Sequence, residues 1–266
     1  MTKFGRMGSM SYKDYNGLEA ELYDIFRGGD ELDEIGFYSE VAADQGGNCL
    51  DLGCGTGRVL LPLARQGIHI TGLDASQFMV EECRARVAAE GLSAEILHDD
   101  MRTFDLGRQF DLILLPGATF QLLEEREDVI SALQQVRAHL LPDGLMLMSL
   151  FIPYYEIVHE SLDGVWRLER DEAIGNDGQR AICHVCADLD RCEQVMDLRH
   201  RFEVIDRSGV TVKSELKRSR MRWYGKYELE LLLASAGFQS VEILGDFGDE
   251  QAGDGHAAMA VFAKRK

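Results

Sequence analysis

Short apolar runs alternate with amphipathic stretches along the first 150 residues of the chain. Apolar residues recur every three or four positions in five stretches, which predicts helices over 16–26, 31–44, 58–66, 76–90 and 126–140. Compact apolar runs between them predict strands at 50–52, 68–73, 94–98, 110–115 and 145–151. This alternation is typical of a parallel sheet with helices on both faces.

The pattern changes between residues 153 and 224, where polar and apolar positions alternate as in half-buried strands. Four strands are predicted there, over 165–174, 179–188, 194–205 and 211–223. Turn residues at 175–178 and 206–209 separate them, so we predict an antiparallel lid. A helix over 227–236 and strands at 240–244 and 257–263 then resume the first pattern. The chain is therefore predicted to have three parts: an N-terminal cap and core at 1–152, a lid insertion at 153–224, and the rest of the core at 225–266.

A glycine-rich turn joins the first predicted strand to the next helix, in the run Leu50-Asp51-Leu52-Gly53-Cys54-Gly55-Thr56-Gly57-Arg58. Alternate glycines let the backbone turn tightly and approach a ligand, and the helix start favours an anionic group. A phosphate-binding P-loop would need Lys followed by Ser or Thr after the last glycine, where this chain has Arg58 and Val59. The dinucleotide fingerprint would need its third glycine at position 58, so NAD or FAD is a minor alternative.

Residues 51–57 resemble motif I of the class I S-adenosylmethionine-dependent methyltransferases. The resemblance continues through 72–76, where the family places an acidic residue on the ribose, and through 98–101, where it binds adenine. It implies a doubly wound, mostly parallel seven-stranded α/β sheet with the antiparallel β lid inserted after strand five. It also implies cofactor contacts from these residues: Tyr23, Asp51, Gly53, Cys54, Gly55, Gly57, Asp74, Ala75, Met79, Asp100, Met101 and Leu115.

The lid makes the chain similar to small-molecule N-methyltransferases that act on amino sugars, amino acids or nitrogen heterocycles such as azapteridines. Tyr23-Asp24-Ile25-Phe26, 101–104 and 222–224 carry this part of the resemblance. The segment after the fourth strand lacks the Asn-Pro-Pro-Tyr-like sequence of DNA and protein-glutamine N-methyltransferases. A small-molecule O-methyltransferase and a non-catalytic cofactor-binding protein stay open as alternatives.

Aromatic side chains could accept the charge that a methylated amine acquires. The candidates for the substrate site are Phe120, Trp166, Trp223 and Tyr224, for which packing within the core or the lid is the alternative explanation. Three histidines, His159, His184 and His200, lie in or near the lid and could take a proton from an incoming NH or OH group. Their spacing does not select one of them.

Net charge restricts the partners, because 46 acidic residues against 28 Lys and Arg give a formal charge of −18. Such a chain repels a polyanion, so a small-molecule substrate and no nucleic acid are predicted. The cluster Lys213, Lys217, Arg218, Arg220 and Arg222 is interpreted as the outer face of a strand. With no apolar run near eighteen residues and no signal-peptide pattern, we expect no membrane association and a cytoplasmic location. The lid also allows a homodimer.

Six cysteines occur, at positions 49, 54, 83, 183, 186 and 192. In a reducing compartment they are expected to be thiols. Cys183-His184-Val185-Cys186 with Cys192 superficially resembles a zinc site, but residues three apart on a strand point to opposite faces. We therefore predict no metal.

Overall fold

The computed structural model describes residues 17–27, 34–175 and 177–265. Seven α-helices lie within these ranges: α1 Gly17–Arg27, α2 Glu34–Gln45, α3 Leu60–Arg65, α4 Gln77–Ala89, α5 Arg126–His139, α6 Tyr154–Val158 and α7 Lys226–Ser235. The described strands are β1 Asn48–Leu52, β2 His69–Asp74, β3 Glu95–His98, β4 Phe110–Leu115, β5 Leu140–Phe151, β6 Arg167–Ile174, β7 Gln179–Asp190, β8 Val195–Ile205, β9 Thr211–Arg222, β10 Phe238–Gly245 and β11 Ala258–Arg265. Asn16, Glu31 and Asn176 fall outside these ranges, so parts of the predicted first two helices and of the turn at 175–178 cannot be compared.

Seven strands form the main sheet in the order β10-β11-β5-β4-β1-β2-β3. The strands from β5 to β3 pair in parallel, and β11 lies antiparallel to both β10 and β5. From β1 the chain continues to β2 and β3 on one side of the sheet, and from β4 it continues to β5 on the other side. The connections that leave β1 and β4 therefore diverge and open a crevice at the carboxyl ends of these two strands. The predicted α/β sheet, doubly wound and mostly parallel, is confirmed.

Buried side chains cover both faces of this sheet, as the continuous apolar strands require. On one face Ile113 and Leu115 pack with residues of α5, α7 and β11. On the other, Leu112 and Leu114 pack with α2, α3 and α4. Ser76 accepts a hydrogen bond from the Met79 backbone N–H at 3.3 Å and so caps α4, as its residue type predicts.

The predicted lid is a separate antiparallel sheet in the order β6-β7-β8-β9. One face of it, which we call the inner face, packs against α1 through Leu18 and Leu22, which contact Cys183 and Phe202. Further along the same face, Ala187, Met196 and Leu198 pack around Trp223, which follows β9. The inner face is therefore bracketed by α1 at one end and by the junction with the main sheet at the other.

Two local predictions differ from the structure. Strand β5 begins at Leu140 instead of 145, because Leu140 pairs with Phe110 before residues 141–144 bulge out of register and Leu145 pairs with Leu112. Asp143 adopts a left-handed φ of 64° at the exposed tip of this bulge. Helix α3 begins only at Leu60, since turns occupy the residues that follow the last glycine of the loop.

The assignment of the basic cluster to an outer strand face is wrong for Lys217. Its side chain is buried and pairs with Glu215 at 3.2 Å on the inner face. The spacing of charges along β9 cannot predict this, because α1 covers that part of the strand. Lys213 is exposed but also lies on the inner face, where it pairs with Val204 and contacts Glu21 of α1, so its assignment is wrong too. Arg218 is exposed on the outer face, as expected.

All six cysteines lie within the described ranges and are free. Among the described residues there is no group of three or more His, Cys, Asp or Glu side chains arranged to hold a metal ion. None of the described helices has the length and apolar character needed to cross a membrane.

Candidate cofactor and acceptor site

The glycine loop lies at the carboxyl end of β1, where the main sheet opens its crevice. Gly53, Gly55 and Gly57 all have left-handed φ values, of 83°, 54° and 94°. A Cβ on Gly53 would stand 2.2 Å from the Cγ2 of Thr119, so glycine is required there by contact as well as by backbone conformation. The loop is thereby pressed against the segment that follows β4.

Asp74, at the end of β2, fixes the shape of this loop. Its carboxylate accepts hydrogen bonds from the backbone N–H groups of Gly55 and Ser76, each at 2.8 Å. Burial raises the pKa of Asp74. The neighbouring Ala75 carbonyl lies 3.0 Å from His98 Nε2, which connects the ends of β2 and β3. The structure thus brings Asp74 and Ala75 to the glycine loop, at the edge that the sequence predicted.

Asp51 is fully buried inside β1. Neither of its carboxylate oxygens has a hydrogen-bond partner among the described residues. Burial raises its pKa from 3.8 to about 7, against the opposing charge of Arg58. A buried carboxylate without a partner is costly unless a cation completes the site. The amino-acid part of S-adenosylmethionine carries an ammonium group, so this donor set fits the cofactor that the loop resembles.

The end of β3 supplies the third group of predicted contacts. The Arg102 guanidinium donates two hydrogen bonds to the Asp100 carboxylate, of 3.0 and 2.7 Å, and one to the Asp128 carboxylate of α5, of 2.7 Å. This holds Asp100 in a fixed orientation beside the buried Met101. Met79 and Leu115, also predicted to contact the cofactor, are buried, as is Cys54 in the loop itself.

Helix α1 connects the loop to the lid. The Tyr23 hydroxyl lies 4.0 Å from the position of a Cβ built on Gly55, the open side of the loop. The next residue, Asp24, accepts a hydrogen bond from the Thr56 hydroxyl at 2.9 Å and pairs with Arg86 of α4. At the other end of α1, the Leu18 N–H donates to Glu215 of β9 at 2.5 Å.

A buried polar network on α2 was missed by the sequence reasoning. Glu34 pairs with Arg58 at 2.6 Å and accepts hydrogen bonds from the Ser149 hydroxyl at 3.0 Å and the Gly117 N–H at 3.2 Å. It therefore joins α2, the glycine loop, β5 and the segment after β4. Its partners are up to 115 residues apart in the sequence, so no local pattern indicates it.

The segment after β4 forms the opposite wall of the crevice. Gly117 and Ala118 are both left-handed, with φ of 64° and 61°, a conformation unusual for alanine. Beyond them the Phe120 ring lies 5.6 Å from that of Tyr224. Among the described residues the buried Tyr224 hydroxyl has no hydrogen-bond partner. Two of the predicted substrate residues are thus brought together.

The two tryptophans lie elsewhere. Trp223 is buried against the inner face of the lid. Trp166 is 39% exposed and carries the guanidinium of Arg201 over its ring at 5.4 Å from the centroid. Arg201 is one residue out of phase with His200 and Phe202, so Trp166 lies on the face of the lid opposite to α1. The structure does not bring Trp166 together with Phe120 and Tyr224.

A glycine loop after β1, carboxylates at the ends of the neighbouring strands and a fixed crevice define a Rossmann-like domain that binds a nucleoside cofactor. Residues 49–144 match the family model described as a methyltransferase domain. A dTDP-3-amino-3,6-dideoxy-alpha-D-glucopyranose N,N-dimethyltransferase of Streptomyces fradiae is 33% identical over 145 residues, which are 51% of this chain and 54% of that protein. A putative methyltransferase, YqeM, of Bacillus subtilis is 26% identical over 89% of this chain and 91% of its own length.

Among solved structures, S-adenosylmethionine-bound CalS10, an amino pentose methyltransferase from Micromonospora echinaspora, superposes with a TM-score of 0.72. Its identity is 21%, and the match covers 95% of this chain and 98% of that one. The chain spans about half the length of the first curated relative it matches. Residues 49–144 therefore match a methyltransferase domain, and the chain has the fold of this solved methyltransferase structure.

Proposed function

We propose that the protein transfers a methyl group from S-adenosylmethionine to a nitrogen atom of a small molecule, with a nucleotide-linked amino sugar as the first candidate. The observation that carries the acceptor class is the 33% identity with a sugar N,N-dimethyltransferase over 145 residues. The shared fold with an amino pentose methyltransferase, which extends over the lid, supports it.

The cofactor, when bound, supplies an activated methyl group on a sulfonium. Asp51 would hold its ammonium group, Asp74 its ribose hydroxyls, and Asp100 with Met101 its adenine. Tyr23 of α1 would close the open side of the glycine loop. The cradle that would hold the amino-acid part of the cofactor contains two buried carboxylates, Asp51 and Glu34, and one guanidinium, that of Arg58. This excess of negative charge favours a cationic ligand.

Methyl transfer requires alignment and exclusion of water more than acid or base chemistry. The lid would align the acceptor and exclude water, because its inner face is covered by α1 at one end and meets the main sheet at the other. Phe120 and Tyr224 would form the aromatic wall beside the transferred methyl group. The net charge of −18 disfavours a nucleic acid as the acceptor.

The test is incubation with isotopically labelled S-adenosylmethionine and a panel of pure acceptors: dTDP-3-amino-3,6-dideoxyglucose, glycine, an azapteridine and catechol. We expect label on the sugar nitrogen, identified by mass spectrometry. Label on catechol alone would replace the proposal by O-methylation. Binding of S-adenosylhomocysteine without labelling of any acceptor, in the panel or in a cell extract, would favour a non-catalytic binding protein.

A further inference from the structure

A band of polar side chains crosses the middle of the inner lid face, between two apolar clusters. Strand register places it there: His200 pairs with Val185 of β7 on one side and with Lys217 of β9 on the other. Residues directly opposite in an antiparallel pair share a face. The next row, Cys183 and Phe202, packs against α1, so His200 is on the same side of the sheet as that helix.

The three lid histidines that the sequence left equivalent are separated by this register. His184 pairs with Arg201 on the outer face, 3.6 Å from Glu203. His159 is exposed at the end of α6, against the ring of Tyr155. His200 alone of these three lies on the inner face.

The surroundings of His200 suit an imidazole that gains and loses a proton. Its Nε2 lies 3.8 Å from the Glu169 carboxylate, and its ring stacks on Phe202 with a 5.9 Å centroid separation. A carboxylate at this distance stabilises the imidazolium form. The other charged or titratable groups that face it are Cys183 of β7, Lys217 and Glu215 of β9, Glu19 of α1 and Arg167 of β6.

Helix α1 lies against both this band and the glycine loop. Glu19 interacts with Lys217 and Glu215 in the band, and Tyr23, four residues later, faces Gly55. Residues four apart lie on one face of a helix with a rise of about 6 Å. Side chains one helical turn apart on α1 therefore reach the polar band and the glycine loop.

We propose that His200 takes the proton from the ammonium form of an amine acceptor and that Glu169 is its positioning residue. This rests on the proposed function and adds the group that makes the amine nucleophilic. The acceptor ammonium passes one proton to the neutral imidazole, and its nitrogen lone pair is freed. That lone pair forms the C–N bond as the C–S bond breaks, and the bonding electrons remain on sulfur. The imidazolium then loses its proton to solvent.

The experiment measures kcat and KM against pH for the whole protein with dTDP-3-amino-3,6-dideoxyglucose as acceptor. We expect His200→Asn to lower kcat at pH 7 by about 100-fold or more, since a positioned proton acceptor usually contributes about 10²–10⁴-fold. The loss should shrink at high pH, where the free amine is abundant. The KM for S-adenosylmethionine should not change. His184→Asn, on the outer face, is the matched control and should behave as wild type.

Glu169→Gln tests the same idea without removing the histidine. Because the carboxylate stabilises the imidazolium, its loss should move the acidic limb of the profile to lower pH, where a merely structural role would leave the limb in place. This variant also decides the matter if His200→Asn does not fold, as judged by calorimetric binding of S-adenosylhomocysteine.

The outcomes separate two failures. An active wild type whose pH profile is unchanged in both variants overturns the role of His200 and leaves the proposed function intact. A wild type that methylates only catechol, with no amine labelled, overturns the amine acceptor and the role of His200 with it.

Discussion

At the scale of single residues, the fold raises the pKa of two carboxyl groups to near neutral, that of Asp51 beside the glycine loop and that of Glu19 on α1. Burial is the largest cause of a raised pKa in both, to about 7 in each. Between the unfolded values near 4 and these folded values, the native protein binds protons that the unfolded chain has released. Stability should therefore fall as pH rises from about 4 to 7.

Asp51→Asn should remove the contribution of Asp51 to this fall of stability with rising pH. At pH 8 the ligand-free variant should be more stable than wild type by about 1–3 kcal/mol, because a buried charge without a hydrogen-bonded partner is gone. The same change should weaken S-adenosylhomocysteine binding, since the ammonium group loses its counter-charge. Urea unfolding at pH 5 and pH 8, with calorimetry, measures both effects. An unchanged free energy of unfolding at pH 8 would contradict the assignment.

Asp74 makes a second residue-level prediction. Asp74→Ala should reduce affinity for S-adenosylhomocysteine by tenfold or more, because it removes both the predicted ribose contact and the two hydrogen bonds that shape the loop. Asp111→Ala is the control, since Asp111 accepts a hydrogen bond from the Asn48 N–H at the other end of β1. Equal affinity in wild type and Asp74→Ala would refute the ribose contact.

At the scale of elements, one buried amide ties the lid to the core. Gln121 is fully buried. Its Nε2 donates to the Phe151 and Arg222 carbonyls at 3.1 and 2.9 Å, and its Oε1 accepts from the Phe151 N–H at 2.6 Å. These are the ends of β5 and β9. The chain leaves the main sheet and returns to it at this amide.

Gln121→Leu should lower the free energy of unfolding by about 2–4 kcal/mol, since three partly buried backbone groups lose their partners. Because the lid is then less firmly attached, kcat should fall more than affinity for S-adenosylhomocysteine. Gln109→Leu, which removes a single exposed hydrogen bond to the Ala138 carbonyl, is the control and should cost under about 1 kcal/mol. Equal stability of the two variants in urea would show that the amide does not hold the lid.

Helices and strands whose apolar residues repeat at a regular spacing were predicted well from the sequence. The strands β1, β2 and β4 and the cap of α4 follow from local patterns, as do the four lid strands. Strand β5 was predicted to start too late, because its first pairing is with Phe110, about 30 residues away. Lys217 was assigned to the wrong face because α1, some 200 residues earlier, covers it. Such contacts leave no local trace in residue spacing.

At the scale of the whole molecule, α1 is bonded to both halves of the site, through Asp24 to the loop and through Leu18 to the lid. Cofactor binding should therefore order both. Saturating S-adenosylhomocysteine, at 100 times its Kd, should stabilise the protein by about 2.7 kcal/mol. It should also slow amide hydrogen exchange in 17–27 and 53–59. Exchange in β10, remote from the loop, is the internal reference. Protection confined to 53–59 would contradict the link through α1.

The sequence alone located the glycine loop and the acidic residues Asp74 and Asp100 at the ends of the next two strands, because these are local features with local causes. Only the tertiary structure decided which lid residues face that chemistry. Trp166, just before β6, and His200, in β8, both belong to the lid, yet strand register places their side chains on opposite faces of it. The Glu34 network arises only when α2, β5 and the loop after β4 meet. Such choices depend on how distant segments pack, and packing is a property of the folded chain.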